Sequence, residues 1–180
     1  MNKKRLAIGL SLAFLLLSAG SGVGIYITSQ PRCCLTFANV VMWQAHGYFP
    51  GQTTRQVEDL VYARCYEISC QWQPELGPGG CPSQYGVEQV AASWGMPGYV
   101  NPPQWDWAAV LSDAQWGRAI VFWRVGDVSH AYYCSQYVAG RNVADPGRLF
   151  CYDALNQAGR WWSEDVIRPL WTGWSAGWRP

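Results

Sequence analysis

From Cys34 to Gln44 the apolar residues Leu35, Phe37, Ala38, Val41 and Met42 recur at helical intervals, and His46-Gly47 supplies a stop. This stretch reads as a central helix. A second helix is expected from Thr54 to Tyr66, opened by Thr53-Thr54 and carrying Val57, Leu60, Val61 and Ala63 on one face. Gln73 to Pro82 is rich in glycine and proline and reads as loop. Tyr85 to Trp94 predicts a third helix ending at Gly95, and Trp105-Asp106-Trp107 opens a short fourth that ends near Gly117. Beyond Gly117 the period changes to that of strands: Arg118 to Val125, a Gly126-Asp127 turn, then Val128 to Tyr137. After an Asn142 to Gly147 turn, Leu149 to Tyr152 predicts a third strand, and Trp161-Trp162 begins a further strand or a short helix toward Ile167. Helices first and strands last predict an α+β fold with an antiparallel sheet.

No repeat, linker or low-complexity segment divides the chain, so residues 25–180 read as one domain. Ahead of it, Met1 to Arg5 is basic, Leu6 to Leu17 is apolar, and Ser18-Ala-Gly-Ser-Gly22 is small. That arrangement over residues 1–22 is a secretory signal peptide or, if uncut, a membrane anchor, since ~20 apolar residues are enough to span. The expected location is secreted or periplasmic, with membrane attachment only through the leader. A net charge of +1 gives no sign of a nucleic-acid partner.

Export changes how the seven cysteines read, because in an oxidising compartment they pair and an odd count leaves one free thiol. If Cys34 is the free one, Cys134 and Cys151 lie on the two strands flanking the Asn142 turn and are expected to bridge them. Cys70–Cys81 and Cys33–Cys65 would complete the set. The competing account is a zinc site built from Cys65, Cys70, Cys81 and a histidine.

A cysteine in the first turn of a helix sits where free backbone N–H groups and the helix dipole favour thiolate over thiol, so Cys34 is a candidate nucleophile. The chain has two histidines, and His46 lies about 18 Å away at the far end of the same helix, at 1.5 Å per residue. His130, in Val-Ser-His-Ala-Tyr-Tyr, is therefore the candidate base. Two carboxylates compete for the third role. Asp145, in Ala-Asp-Pro-Gly, has turn chemistry, whereas Asp153 ends the strand expected beside that of His130.

The order Cys34, His130, Asp153, with a helix that begins at the cysteine, resembles the papain-like cysteine peptidases, above all the compact bacterial, bacteriocin-processing type. The resemblance implies helices packed on a C-terminal antiparallel sheet with a cleft between. It favours Cys34 over Cys33, since Cys34 stands thirteen residues before Gly47. It also favours Asp153, followed by a loop into Trp161-Trp162, and it assigns Gln30 to the oxyanion. Two departures stand out: Gln30 precedes Cys34 by only four residues, and Leu35-Thr36-Phe37 replaces the usual Trp and small residues. The implied activity is hydrolysis of a peptide or protein amide by a monomer, with no metal or organic cofactor. Proton transfer from Cys34 to His130 would give a thiolate–imidazolium pair, and a thioester would follow.

Twelve tryptophans supply the alternative. The runner-up reading is an inactive, disulfide-stapled module that binds a protein or glycan through its aromatic surface, with Arg160 and Trp171 to Trp178 as contacts. A cell-wall amidase is a third reading, but it needs a second histidine or polar group after His130 on the sheet, and no second histidine follows.

Overall fold

The computed structural model describes residues 33–74, 80–96, 106–154, 156 and 158–178. The leader and Gln30 lie outside them. Helix α1 spans Cys34–Ala45, and every residue from Leu35 to Gln44 is buried. The apolar spacing anticipated one buried face; instead the helix is enclosed on all sides, which is how a helix apolar all round comes to rest. Two of its buried polar side chains, Asn39 and Gln44, find partners within the helix or on neighbouring segments. Asn39 Nδ2 donates to Leu35 O at 2.9 Å and Gln84 Oε1 at 3.0 Å, and Gln44 Nε2 donates to Gln52 O at 2.8 Å.

Helix α2, Thr54–Ile68, opens with a capping box between Thr53 and Gln56 and ends at Ser69, which is left-handed (φ 51°, ψ 48°). A two-residue hairpin, β1 (Trp72–Gln73) with β2 (Cys81–Pro82), then leads into α3, Gln84–Ser93, capped by Ser83. Helix α4, Trp107–Gln115, is capped by Asp106. Five antiparallel strands complete the fold: β3 (Ala119–Val125), β4 (Val128–Val138), β5 (Arg148–Asp153), β6 (Ala158–Ser163) and β7 (Trp171–Gly177). A short helix, α5 (Glu164–Ile167), and a 3-10 turn join the last two. Their order across the sheet is β6-β5-β4-β3-β7. N-terminal helices therefore pack on a C-terminal five-stranded antiparallel sheet.

The sheet separates two apolar layers. On one face Ile120, Ala131, Tyr133 and Ala176 pack with α1, α2 and α3. On the other, Val121, Trp123, Tyr132, Cys134, Leu149 and Cys151 pack with Trp107, Val110 and Ala114 of α4 and with Ile167. The alternation along β4 follows from the period of two in a strand.

Three disulfides staple the chain: Cys33–Cys81, Cys65–Cys70 and Cys134–Cys151. The cross-strand bridge stands as expected, but the pairings Cys70–Cys81 and Cys33–Cys65 are wrong. Helix α2 runs two residues past its anticipated end, and left-handed Ser69 then turns the chain back. The Cys70 N–H donates to Cys65 O at 2.9 Å, leaving the two Cα atoms 4.8 Å apart. The β1–β2 hairpin in turn returns Cys81 to the start of α1, where its Cα lies 6.2 Å from that of Cys33. With Cys65, Cys70 and Cys81 all bridged, the zinc alternative falls as well.

Replacing both Cys134 and Cys151 with Ala should lower unfolding stability by ~3 kcal/mol in denaturant titrations, from loop-closure entropy over their separation of 17 residues. A second expectation concerns Glu88 on α3, whose carboxyl is pushed by burial up to about 7, against a hydrogen bond from Gln84 that pulls it down. A folded pKa above the unfolded 4.5 means that this stabilisation is complete below 4.5 and is lost as pH rises through about 7. Thermal melts of Glu88→Gln should therefore exceed the parent by several degrees above that range and show no gain below 4.5.

Candidate active site

Cys34 occupies the first position of α1, after an N-cap residue, Cys33, whose side chain makes no capping hydrogen bond. It is half-buried, and it is the one unbridged cysteine among the described residues. The Cys33–Cys81 bridge fixes the residue just before it. Its sulfur faces strand β4, where the backbone N–H of Ala131 supports it together with the N–H groups of Leu35 and of Cys34 itself. These donors favour thiolate, as a helix start should. Burial nevertheless outweighs them, and the Asp153 charge acts in the same sense, so the Cys34 thiol is pushed above its ordinary 9.0. The expected thiolate at rest is corrected on this point: desolvation wins, and the thiol keeps its proton.

Ala131 follows His130 directly, so the sulfur lies against the backbone segment that carries the candidate base. His130 pairs across the sheet with Trp123, and strand alternation assigns its side chain to the face of Tyr132, Cys134 and Asp153, opposite the face on which Ala131 and Cys34 pack. The structure brings Cys34 to the His130–Ala131 backbone, not to the imidazole. Its Nδ1 is buried and has no hydrogen-bond partner among the described residues. An orphan imidazole nitrogen in the interior is uncommon. Asp153 is 97% buried, since its exposure is 3%. It sits opposite Tyr132 at the end of β5, two residues along from Cys151, which pairs with Cys134. The Cys134–Cys151 bridge thus ties together the two strands that carry His130 and Asp153.

Asn156, just past the end of β5, donates its Nδ2 to Asp153 Oδ2. This residue was missed from sequence, although an amide three residues past an aspartate in a turn is a recognisable local pattern. The Tyr132 phenol lies in the electrostatic reach of both Asp153 and Cys34. Burial first and the Asp153 charge second push it up to about 12, while Arg160 opposes them.

The remaining candidates are elsewhere. His46 Nε2 bonds to Gly117 O at 2.7 Å and its ring packs 4.7 Å from that of Trp178, at the opposite end of α1 from Cys34. Asp145 accepts from Arg141 at 2.6 Å and from Arg148 at 3.2 Å, which builds the β4–β5 turn. The tryptophan-rich tail is mostly structure. It forms edge strand β7, Trp178 is buried, Trp171 packs 5.2 Å from Trp107, and Trp174 alone of the three is exposed. The described residues contain no group of three His, Cys, Asp or Glu side chains suited to a metal ion.

Compared with protein-family models and with curated proteins, the sequence matches none.

On the folded, non-reduced chain, iodoacetamide should label Cys34 alone, at a rate that climbs with pH through a midpoint above 9.0 and falls to the ordinary value once the chain is unfolded. A labelling rate already on its plateau near neutral pH would show that the N–H donors, and not burial, decide the protonation state.

Proposed function

We propose that this chain is an exported cysteine peptidase of papain-like architecture, hydrolysing peptide or protein amides through Cys34, His130 and Asp153. The observation that carries the reading is the sulfur inventory. Six cysteines are bridged, and the one left over begins the buried central helix against the strand segment that carries His130. Three disulfides fit an oxidising compartment, secreted or periplasmic. Among the described residues no helix is long and apolar enough to cross a membrane, so any membrane attachment belongs to the leader.

Because Cys34 rests as a thiol, catalysis proceeds by general-base assistance. His130 takes the thiol proton as the sulfur attacks the scissile carbonyl, and Asp153, oriented by Asn156, stabilises the imidazolium that forms. The Cys34 backbone N–H, at a helix start with no side-chain cap, is the oxyanion donor, with Gln30 as its partner. His130 then gives its proton to the leaving amine, and water hydrolyses the thioester. The enzyme works as a monomer, without a metal or organic cofactor, and nucleic acid is no partner.

The raised Cys34 pKa favours one other reading, an inactive module of the same fold that grips a peptide or glycan. Kinetics separate the two. Cys34→Ala and His130→Ala should each reduce hydrolysis of an unfolded protein substrate on the order of 10³-fold or more, and Asp153→Asn on the order of 10²-fold or more, with melting temperatures nearly unchanged. Hydrolysis indifferent to Cys34 and His130 would rule the peptidase out.

A further inference from the structure

Between α1, α3 and the end of β7 lies a small cavity of about 10 Å³, walled in part by Met42 and Ile120 and lined by four polar side chains, Asn39, Gln84, Glu88 and Trp178. Three of the four form a relay. Asn39 Nδ2 donates to Leu35 O at 2.9 Å and to Gln84 Oε1 at 3.0 Å, and Gln84 Nε2 donates to Glu88 Oε1 at 2.9 Å and to Asn39 Oδ1 at 3.4 Å. An amide nitrogen carries two hydrogens, so neither amide has a donor left. The second carboxyl oxygen, Glu88 Oε2, is buried and has no hydrogen-bond partner among the described residues, in a side chain only 9% exposed.

The opposite deficit lines the same cavity. Trp178 is 4% exposed, and its Nε1 is buried with no acceptor among the described residues. Each unpaired group is a cost to the fold, and each favours whatever answers it. The demands on that occupant are specific. The indole can only donate, whereas the Glu88 carboxyl, which burial pushes up to about 7, accepts when ionised and donates when protonated, and both forms are populated near neutral pH. A cation cannot accept from the indole, and an anion is repelled by the carboxylate. Water satisfies both groups in either state. One water requires ~10–15 Å³ and two to four polar partners, and the cavity supplies the room and the pair.

We propose that this cavity is a binding site for a single structural water, which bridges Trp178 Nε1 to Glu88 Oε2. The water extends the relay from Leu35 O through Asn39, Gln84 and Glu88 to the residue that follows β7. The end of the sheet and the first turn of α1, whose Leu35 N–H supports the Cys34 sulfur, then belong to one hydrogen-bonded unit. The inference is independent of the reaction proposed for Cys34.

Water–indole NMR on the folded, oxidised chain with isotope-labelled tryptophan tests the site. Tyr48, whose ring lies 5.6 Å from that of Trp178, is changed to Phe throughout so that its hydroxyl cannot relay magnetisation from solvent. Trp178→Phe, which keeps a ring and removes the donor, identifies the Trp178 signal by its loss. That signal should show a cross-peak to water of opposite sign in NOE and ROE spectra, the mark of a water held in place rather than of proton exchange. Glu88→Gln should keep the cross-peak, because water accepts from an amide as readily as it donates to a carboxylate. Glu88→Met, close in length but without a strong acceptor, should abolish it. Absence of the cross-peak at Trp178, or its survival in Glu88→Met, overturns the proposal. So does its loss in Glu88→Gln while the other indole signals stay in place, since an occupant that requires the charge is a cation and not water.

Discussion

The enclosure of helix α1 is the constraint on which the rest depends. A helix buried from Leu35 to Gln44 must be covered by α2 and α3 on one side and by the sheet on the other, and its first turn then has nowhere to go but against β4. The Cys33–Cys81 bridge anchors the residue that precedes it. The position of one sulfur atom is thus a consequence of core packing rather than of any interaction it makes itself.

That same burial sets the chemistry. Backbone N–H groups of Ala131, Leu35 and Cys34 would lower the thiol pKa, yet the loss of water outweighs them, and Asp153 adds a negative charge in the wrong sense for a thiolate. A nucleophile so placed is quiet at rest and needs a base that acts during the reaction. Nδ1 of His130 is buried and has no hydrogen-bond partner among the described residues. Asp153, held by Asn156, suits an imidazolium better than it suits a thiolate. Cost to the sulfur and benefit to the ring come from the same carboxylate.

Much of the fold was legible because its elements are locally consistent. Thr53 with Gln56, Asp106, and the Gly126-Asp127 turn announce their boundaries, and the Cys134–Cys151 bridge follows from two neighbouring strands. What escaped depends on long-range return of the chain. Strand β7 reads as Thr-Gly-Trp-Ser-Ala-Gly, with no alternation to betray it, and its pairing with β3 shifts register between Val121 and Trp123. The other two disulfides are set by a left-handed serine and by a hairpin that comes back to α1, neither of which residue spacing reveals. At the site, the residue types Cys34, His130 and Asp153 could be chosen from order and context. The support from Ala131, the clamp by Asn156 and the direction of the Cys34 shift required the packed interior, since burial is not a property of a heptad or a turn.

The central claim is that the sulfur of Cys34 and the imidazole of His130 work as a pair. A bifunctional three-carbon alkylator, 1,3-dibromoacetone, tests it most directly on the folded, non-reduced chain, followed by peptide mapping. The account predicts a covalent cross-link between Cys34 and His130. Cys34 found singly alkylated, or tied to some other residue, would contradict it.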